Sequence, residues 1–143
     1  MSKFSTQEIE YLQSQRLGRL ATIGAKGDLH VVPVGFRYNP DEDTIDIGGH
    51  DLAKSKKYRD ALRYGRVAFV VDDVLPPWRP RFVEVRGTVQ AFSEGGKTIN
   101  QGFKPEILRV TPTYIVSFGI NDEGMMPGTG KVNISGRSVG YSK

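Results

Sequence analysis

GRLATIGAKGDLHVVPVGFRYNPDEDTIDIGGHDLAKSKKYRD, residues 18–60, is the stretch whose reading decides the fold. Residues 17–23 read as a strand, Gly24-Ala25-Lys26-Gly27-Asp28 as its turn, and residues 29–38, rich in valine, as a longer strand, which makes a hairpin. Asn39-Pro40-Asp41-Glu42-Asp43 is a second turn, because proline fixes φ while asparagine and aspartate bond their own backbone. Residues 44–48 resume as a third strand, and three consecutive strands with short turns form a meander. Beyond it, residues 51–64 read as helix and the β-branched run at 67–71 as a strand. Residues 82–92 alternate as a long strand after the stiff loop Pro76-Pro77-Trp78-Arg79-Pro80, and residues 114–118 supply a sixth. Upstream, Ser5-Thr6-Gln7-Glu8 has capping-box spacing, with Ile9 and Leu12 on one face of an amphipathic helix that plugs one end of the barrel. Six strands and few helices predict a mainly β fold: a six-stranded antiparallel β-barrel with flanking helices, in which closure removes exposed sheet edges.

A chain of 143 residues makes one domain with a workable core. That domain is expected to span residues 1–120. Residues 121–143, rich in glycine and serine, hold few large apolar side chains to offset their ordering entropy and form a tail, either disordered or folded against something. The absence of cysteine excludes disulfides, thiolate metal sites and cysteine nucleophiles. No apolar run approaches the roughly 20 residues needed to cross a bilayer, and the N-terminus does not resemble a cleavable signal, so a cytoplasmic protein with no membrane partner is expected. The net charge of +4 favours an anionic partner, be it nucleic acid, acidic lipid or a phosphorylated small molecule, without choosing among them. In the tail, Pro127-Gly128-Thr129-Gly130-Lys131 imitates a phosphate loop, but Met125 and Val132 stand where that pattern needs glycine and serine or threonine, so it is rejected.

The strongest chemical signal is the basic cluster of Lys54, Lys56, Lys57, Arg59 and Arg63 in one predicted helix, against only Asp51 and Asp60. A helix start carries partial positive charge and unpaired N–H groups, so lysines placed there form an anion site with the backbone. The competing reading is a solvated helix face, the usual fate of a charge run. Position favours the site, because lysine at a helix start opposes the macrodipole unless an anion offsets the repulsion. Gly48-Gly49 just before it lets the chain pass close to a bound group, although a glycine pair is equally compatible with a simple turn. Barrel wall and basic helix together suggest a site for a flat, phosphorylated cofactor. Trp78, the single tryptophan, sits beside Arg79 in the proline-rich loop, where an indole can cover a planar ring or simply pack over the barrel end. In His30-Val31-Val32-Pro33-Val34-Gly35, Pro33 cannot donate a ladder hydrogen bond and marks either an ordinary edge or a backbone that faces a ligand. Two histidines, His30 and His50, in no ligand spacing argue against a metal site; His30 reads as a strand residue and His50 as a turn residue close enough to the phosphate site to contact a ligand. Asp72-Asp73 falls at a predicted strand end, where capping and solvation are its expected roles. Nucleic-acid binding is not expected either, since only Tyr58 and Tyr64 accompany the basic helix and stacking on a single strand needs an array of aromatics.

Gly18-Arg19-Leu20-Ala21-Thr22, His30 to Phe36, Asn39-Pro40-Asp41, Ser55-Lys56-Lys57-Tyr58-Arg59-Asp60 and Pro76-Pro77-Trp78-Arg79-Pro80 occur in an order that resembles the pyridoxamine 5′-phosphate oxidase-like split-barrel superfamily, over residues 5–120. Within it the chain is most similar to small members that are F420-dependent oxidoreductases. The resemblance implies a six-stranded split β-barrel of the FMN-binding type, a homodimer, and coenzyme F420 (alternatively FMN) in a groove at the subunit interface. It places Val31, Val32, Pro33 and Val34 against the ring system. Ser55, Lys56 and Lys57 hold the phosphate, Lys54, Gly48 and Gly49 complete the expected cofactor site, and Trp78 and Arg79 lie near the ring or the cofactor tail. The reaction implied is hydride transfer from the reduced deazaflavin to an unsaturated organic substrate, with no particular side chain marked as catalytic. The alternative is an FMN-binding oxidoreductase or a non-catalytic flavin- or deazaflavin-binding protein. The pyridoxamine-oxidising members carry a further C-terminal tryptophan motif, and no tryptophan follows Trp78 here, which argues against that activity. The tail is expected either to cover the cofactor across the dimer, with Arg137 reaching an acidic group, or to be flexible.

Overall fold

Asn39 closes the second turn of the meander by accepting hydrogen bonds from the backbone of Asp41 (3.0 Å) and Glu42 (3.1 Å), as an asparagine turn requires. The computed structural model describes residues 1–120 and 134–140. Helix α1 (Thr6–Gln13) starts at the expected capping box: the Ser5 hydroxyl accepts from the Glu8 backbone, and Glu8 accepts from the Ser5 backbone. Strands β1 (Leu17–Ile23), β2 (Leu29–Asn39) and β3 (Thr44–Gly48) follow, then a 3₁₀ turn at Leu52–Lys54 and helix α2 (Lys56–Tyr64). Next come β4 (Arg66–Leu75), β5 (Arg79–Phe92), a single helical turn α3 (Gly96–Ile99), β6 (Ile107–Phe118) and β7 (Ile134–Ser138).

Every pairing is antiparallel, and the strands run β3-β2-β1-β4-β5-β6, with β3 pairing back onto β6 to close a six-stranded barrel. Alternate residues of these strands fill the interior, among them Leu20, Ile47, Phe69, Val83, Leu108 and Ile115, all fully buried. The closing seam is polar as well as apolar. Buried Asp46, opposite Arg109, accepts from its Nε (2.9 Å) and Nη2 (3.1 Å), from Asn39 Nδ2 (2.9 Å) and from Thr44 Oγ1 (3.0 Å). The carboxylate is thereby satisfied out of water, the condition under which a buried charge is tolerated.

Three of the departures from the sequence reading have local causes. The helix expected over residues 51–64 is broken at Ser55, whose backbone is extended (φ −85°, ψ 155°) and whose hydroxyl caps α2 through the Tyr58 N–H; Lys54 therefore precedes the helix. Strands β4 and β5 pair from Arg66↔Thr88 out to Leu75↔Arg79, which shrinks the proline-rich loop to a three-residue turn at 76–78. Pro80 is tolerated inside β5 because the β6 ladder begins only at Phe82. Asp73 is no strand-end cap: it faces Arg81 across the hairpin and takes two hydrogen bonds from its guanidinium (2.9 and 2.6 Å).

The described part of the tail takes the second course expected of it and folds against the barrel. Residues 134–138 form β7, pairing with β6 from Tyr114↔Ser138 to Phe118↔Ile134, on the edge that β6 offers to β3 nearer its start. Arg137 does reach an acid, in its own chain: Nη1 and Nη2 donate to the two oxygens of buried Glu8 (2.9 and 2.6 Å), and Nη2 also to the Lys3 carbonyl (2.8 Å). The phosphate-loop imitation at residues 127–131 lies outside the described residues. Among the described residues no helix is long and apolar enough to cross a membrane.

Candidate functional site

Strand β3 is five residues long and β2 is eleven, so β3 pairs only with Gly35 to Asn39, and residues 29–34 of β2 have, among the described residues, a strand neighbour on the β1 side alone. Along that open edge lies a groove of about 710 Å³, lined by Pro33, Val34 and Gly35 of β2, Gly48 to Leu52 after β3, Lys54, Ser55 and Lys57 at the start of α2, Arg16 and Leu17 before β1, and Asn100 and Phe103 from the loop after α3. That size falls within the range of small-molecule and cofactor sites.

The groove gathers seven of the residues singled out in the sequence: Pro33, Val34, Gly48, Gly49, Lys54, Ser55 and Lys57. Val32 and Lys56 border a side cavity of about 190 Å³ that shares Ser55 and Lys57 with it. Val31 points to the outer barrel face, where it lines an apolar hollow of about 400 Å³ with Ala21, Ala68, Val70 and Phe82, rimmed by Arg19, Asp72 and Glu84. Trp78 and Arg79 sit at the tip of the β4–β5 hairpin and line none of these cavities, and Trp78 is 69% exposed.

The basic cluster divides into engaged and free cations. Lys56 and Arg63 both bind buried Asp60 (2.7 and 2.8 Å), and Arg63 also donates to the Ile23 carbonyl (2.6 Å). Hydrogen bonds from Lys56 and then Arg63 hold the Asp60 carboxyl below the usual carboxylate range. Arg59 donates to the Lys54 carbonyl (3.2 Å). Arg16, Lys54 and Lys57, the three cations on the groove, have no side-chain partner among the described residues. The Ser55 hydroxyl spends its proton on the Leu52 carbonyl (2.6 Å) while accepting from Tyr58 N–H (3.3 Å), so in this geometry it orders the turn and offers no proton to a ligand. What α2 does offer is the pair of backbone N–H groups at Lys56 and Lys57, which a helix start leaves without intrahelical acceptors. Two free ammonium groups beside two free N–H groups make a fitting donor set for a phosphate.

His50, read from the sequence as a turn residue within reach of a ligand at the phosphate site, does line the groove, whereas Arg16, Gly35, Asn100 and Phe103 were not singled out for it; Asn100 and Phe103 reach the groove from the far side of two strands, with no local pattern to mark them. Phe103 also revises the reading of Gly48. A Cβ at Gly35 or Gly48 would come within 2.8 or 2.9 Å of the Phe103 ring, so the two paired glycines make room for that side chain.

Residues 5–105 match the sequence profile of the pyridoxamine 5′-phosphate oxidase family. Over 122 residues the chain is 43% identical to a 5a,11a-dehydrotetracycline/5a,11a-dehydrooxytetracycline reductase from Streptomyces rimosus, spanning 84% of this chain and 86% of that protein. Among solved structures, a conserved hypothetical protein from Mycobacterium tuberculosis superposes with a TM-score of 0.67 at 21% identity, over 86% of this chain and 89% of the other. An FAD-binding protein from Mycobacterium smegmatis does so with a TM-score of 0.60 at 23% identity, over 80% of this chain and 93% of the other.

Proposed function

Because the chain belongs to the pyridoxamine 5′-phosphate oxidase family, we propose that it is an oxidoreductase that uses coenzyme F420 to reduce an electron-poor double bond of a flat, conjugated organic substrate. The observation that carries this reading is that Lys54, Lys57 and the α2 cap Ser55 line one groove beside a strand edge that has no partner among the described residues. The reductase relative supports the reaction class, and its dehydrotetracycline substrate supports a polycyclic enone as the kind of molecule reduced.

In this reading Lys57, Lys54 and the α2 amides hold the phosphate, and the Pro33 to Gly35 backbone lies along the ring. Arg16 supplies a third positive charge, which suits F420 because its tail is anionic beyond the phosphate. When bound, the reduced cofactor supplies the hydride; the chain's own work is binding, orientation and exclusion of water. The protein acts as a homodimer. Supporting that, the outer face carries an exposed apolar band in which Leu29 is 79% and Val31 66% exposed, a surface that monomers rarely leave bare. FMN remains the alternative cofactor, since the phosphate donors serve either.

The test is titration of the purified protein with F420 and with FMN, followed by fluorescence at two salt concentrations, with its mass measured by light scattering. Micromolar or tighter binding of F420, weakened by salt, together with a dimeric mass is the expected result. Preference for FMN moves the assignment to a flavin enzyme, and binding of neither overturns the redox reading.

A further inference from the structure

The wall of the groove opposite α2 is built with more care than a loop needs. After α3, Phe103 lies across Gly35 and Gly48, which are paired between β2 and β3, so its ring rests on backbone with no side chain beneath. The segment that carries it is sewn to the chain leaving β3: Lys104 N–H donates to the Gly49 carbonyl (3.1 Å), and His50 Nδ1 to the Gly102 carbonyl (3.1 Å). Phe103 N–H donates to the Asn100 carbonyl (2.9 Å), and Lys97 Nζ to the Phe103 carbonyl (3.1 Å). The His50 ring meets Phe103 edge-on, with centroids 5.1 Å apart and planes at 83°. Phe103 nevertheless stays half-exposed.

These contacts also fix the polar groups that remain. A carbonyl can only accept, so His50 Nδ1 carries a proton; in the neutral tautomer that this selects, Nε2 is the ring's acceptor and is without a partner among the described residues. The Gly102 N–H can only donate, so Asn100 Oδ1 is its acceptor (2.8 Å), and the two N–H bonds of Asn100 Nδ2 are left over. Around one half-exposed aromatic ring the wall thus keeps one free acceptor and one free donor.

We infer that Phe103, His50 and Asn100 form the recognition wall for a planar heteroaromatic ring whose edge alternates carbonyl and N–H, with Phe103 packing on the ring, Asn100 Nδ2 donating to a carbonyl and His50 Nε2 accepting from the N–H. The inference rests on the groove being the cofactor site and adds which end of the cofactor this wall reads: the pyrimidinedione edge, common to flavins and 5-deazaflavins. The anion end is held separately by Lys57.

Four probes separate the two ends: FMN; riboflavin, which lacks the phosphate; its N3-methyl derivative, which lacks the edge N–H; and the corresponding 5-deaza compounds if flavins do not bind. Phe103→Leu, which keeps an apolar group over the glycines, is expected to weaken riboflavin and FMN by the same factor of about 5–10, the worth of an aromatic contact. His50→Phe keeps a ring against Phe103 but has no nitrogen, so it is expected to bind riboflavin and its N3-methyl derivative alike, where the native protein prefers riboflavin. Thermal melting of each variant confirms folding. Unchanged affinity in folded Phe103→Leu overturns the stacking, and preference persisting in folded His50→Phe overturns the edge contact. Failure of the native protein to bind any of these compounds overturns the cofactor reading itself, a result distinct from either.

Discussion

Lys56 and Lys57 are neighbours in sequence and identical in charge, yet the structure assigns them opposite consequences on substitution. Lys57 lines the groove and has no partner among the described residues, whereas the Lys56 ammonium lies 2.7 Å from buried Asp60. Lys57→Ala breaks no hydrogen bond or ion pair among the described residues, so the melting temperature of the cofactor-free protein is expected to change little. Its effect falls on the ligand. Losing one charge-assisted hydrogen bond to a phosphate costs about 1.5–3 kcal/mol. That corresponds to a rise in Kd of roughly 10- to 150-fold. Part of the loss is long-range Coulomb attraction, so the gap between native protein and variant narrows at high salt. Lys56→Ala leaves Asp60 with Arg63 alone and is expected to lower the melting temperature while changing cofactor affinity little. Calorimetric titration of both variants with F420 and FMN, beside thermal melts without ligand, measures all four quantities. Equal affinity of Lys57→Ala and native protein, or a larger affinity loss in Lys56→Ala than in Lys57→Ala, would refute the division of the cluster into structural and binding cations.

Arg137→Ala strands the buried Glu8 carboxylate and is expected to cost about 3 kcal/mol in urea denaturation, the scale of a broken buried pair, with Glu8→Gln/Arg137→Ala recovering part of it. Burial pushes the Glu8 carboxyl up, but hydrogen bonds from Arg137 and from the Ser5 backbone outweigh it and hold the pKa below its ordinary 4.5. A carboxyl lowered by folding stabilises the fold above its unfolded pKa; stability should therefore be full at neutral pH and fall as pH drops below 4.5, less so in Glu8→Gln, as acid titration of the melting temperature would reveal. Asp46→Ala, at the closing seam, leaves the Arg109 guanidinium and Asn39 amide without their acceptor and is expected to loosen the β3–β6 pairing, read as faster amide exchange at residues 45–47. Trp78, exposed at a hairpin tip outside its own groove, should emit as a solvated indole and be quenched by iodide; protection from iodide on cofactor addition would place it over a partner's groove, and unchanged quenching would leave it out of the site.

How far the sequence could be read follows from the range of the interactions concerned. The first two strand turns and the first helix cap are local, and their residues announce them: Asn39 closes its own turn, and Ser5 with Glu8 closes the capping box. Strand ends were harder, because β4 and β5 are extended by Asp73 and Arg81 across the hairpin, and a carboxylate pattern read alone suggests a cap. That Lys54, Ser55 and Lys57 would share one face of the groove was legible, since they stand close together in the sequence at a helix start of known polarity. Which lysine is free was not, because that depends on the chain placing Asp60 one turn along with its side chain turned inward. The other wall was illegible: Asn100 and Phe103 meet Gly35 and Gly48 only through the closed barrel.

One structural inequality explains why the site lies where it does. Strand β2 outruns β3 by six residues, so among the described residues the barrel wall has a gap in which backbone groups at 29–34 have a strand on one side only. An open edge invites pairing with another chain, and proteins blunt it with proline, charge or a covering element. All three devices occur here: Pro33 in the edge itself, the lysines beyond it, and the chain from Gly48 through α2 folded alongside. The cover is incomplete, and what it leaves is the groove. A helix start must lie next to the gap because the chain leaving β3 has to turn away there, and helix starts bring unpaired N–H groups with them. The proposed anion site therefore depends on β3 ending at Gly48: extending that strand by two residues, for instance by placing valines at Gly49 and His50, should cover the edge as far as Pro33, move α2 away and abolish phosphate-dependent binding before it abolishes folding.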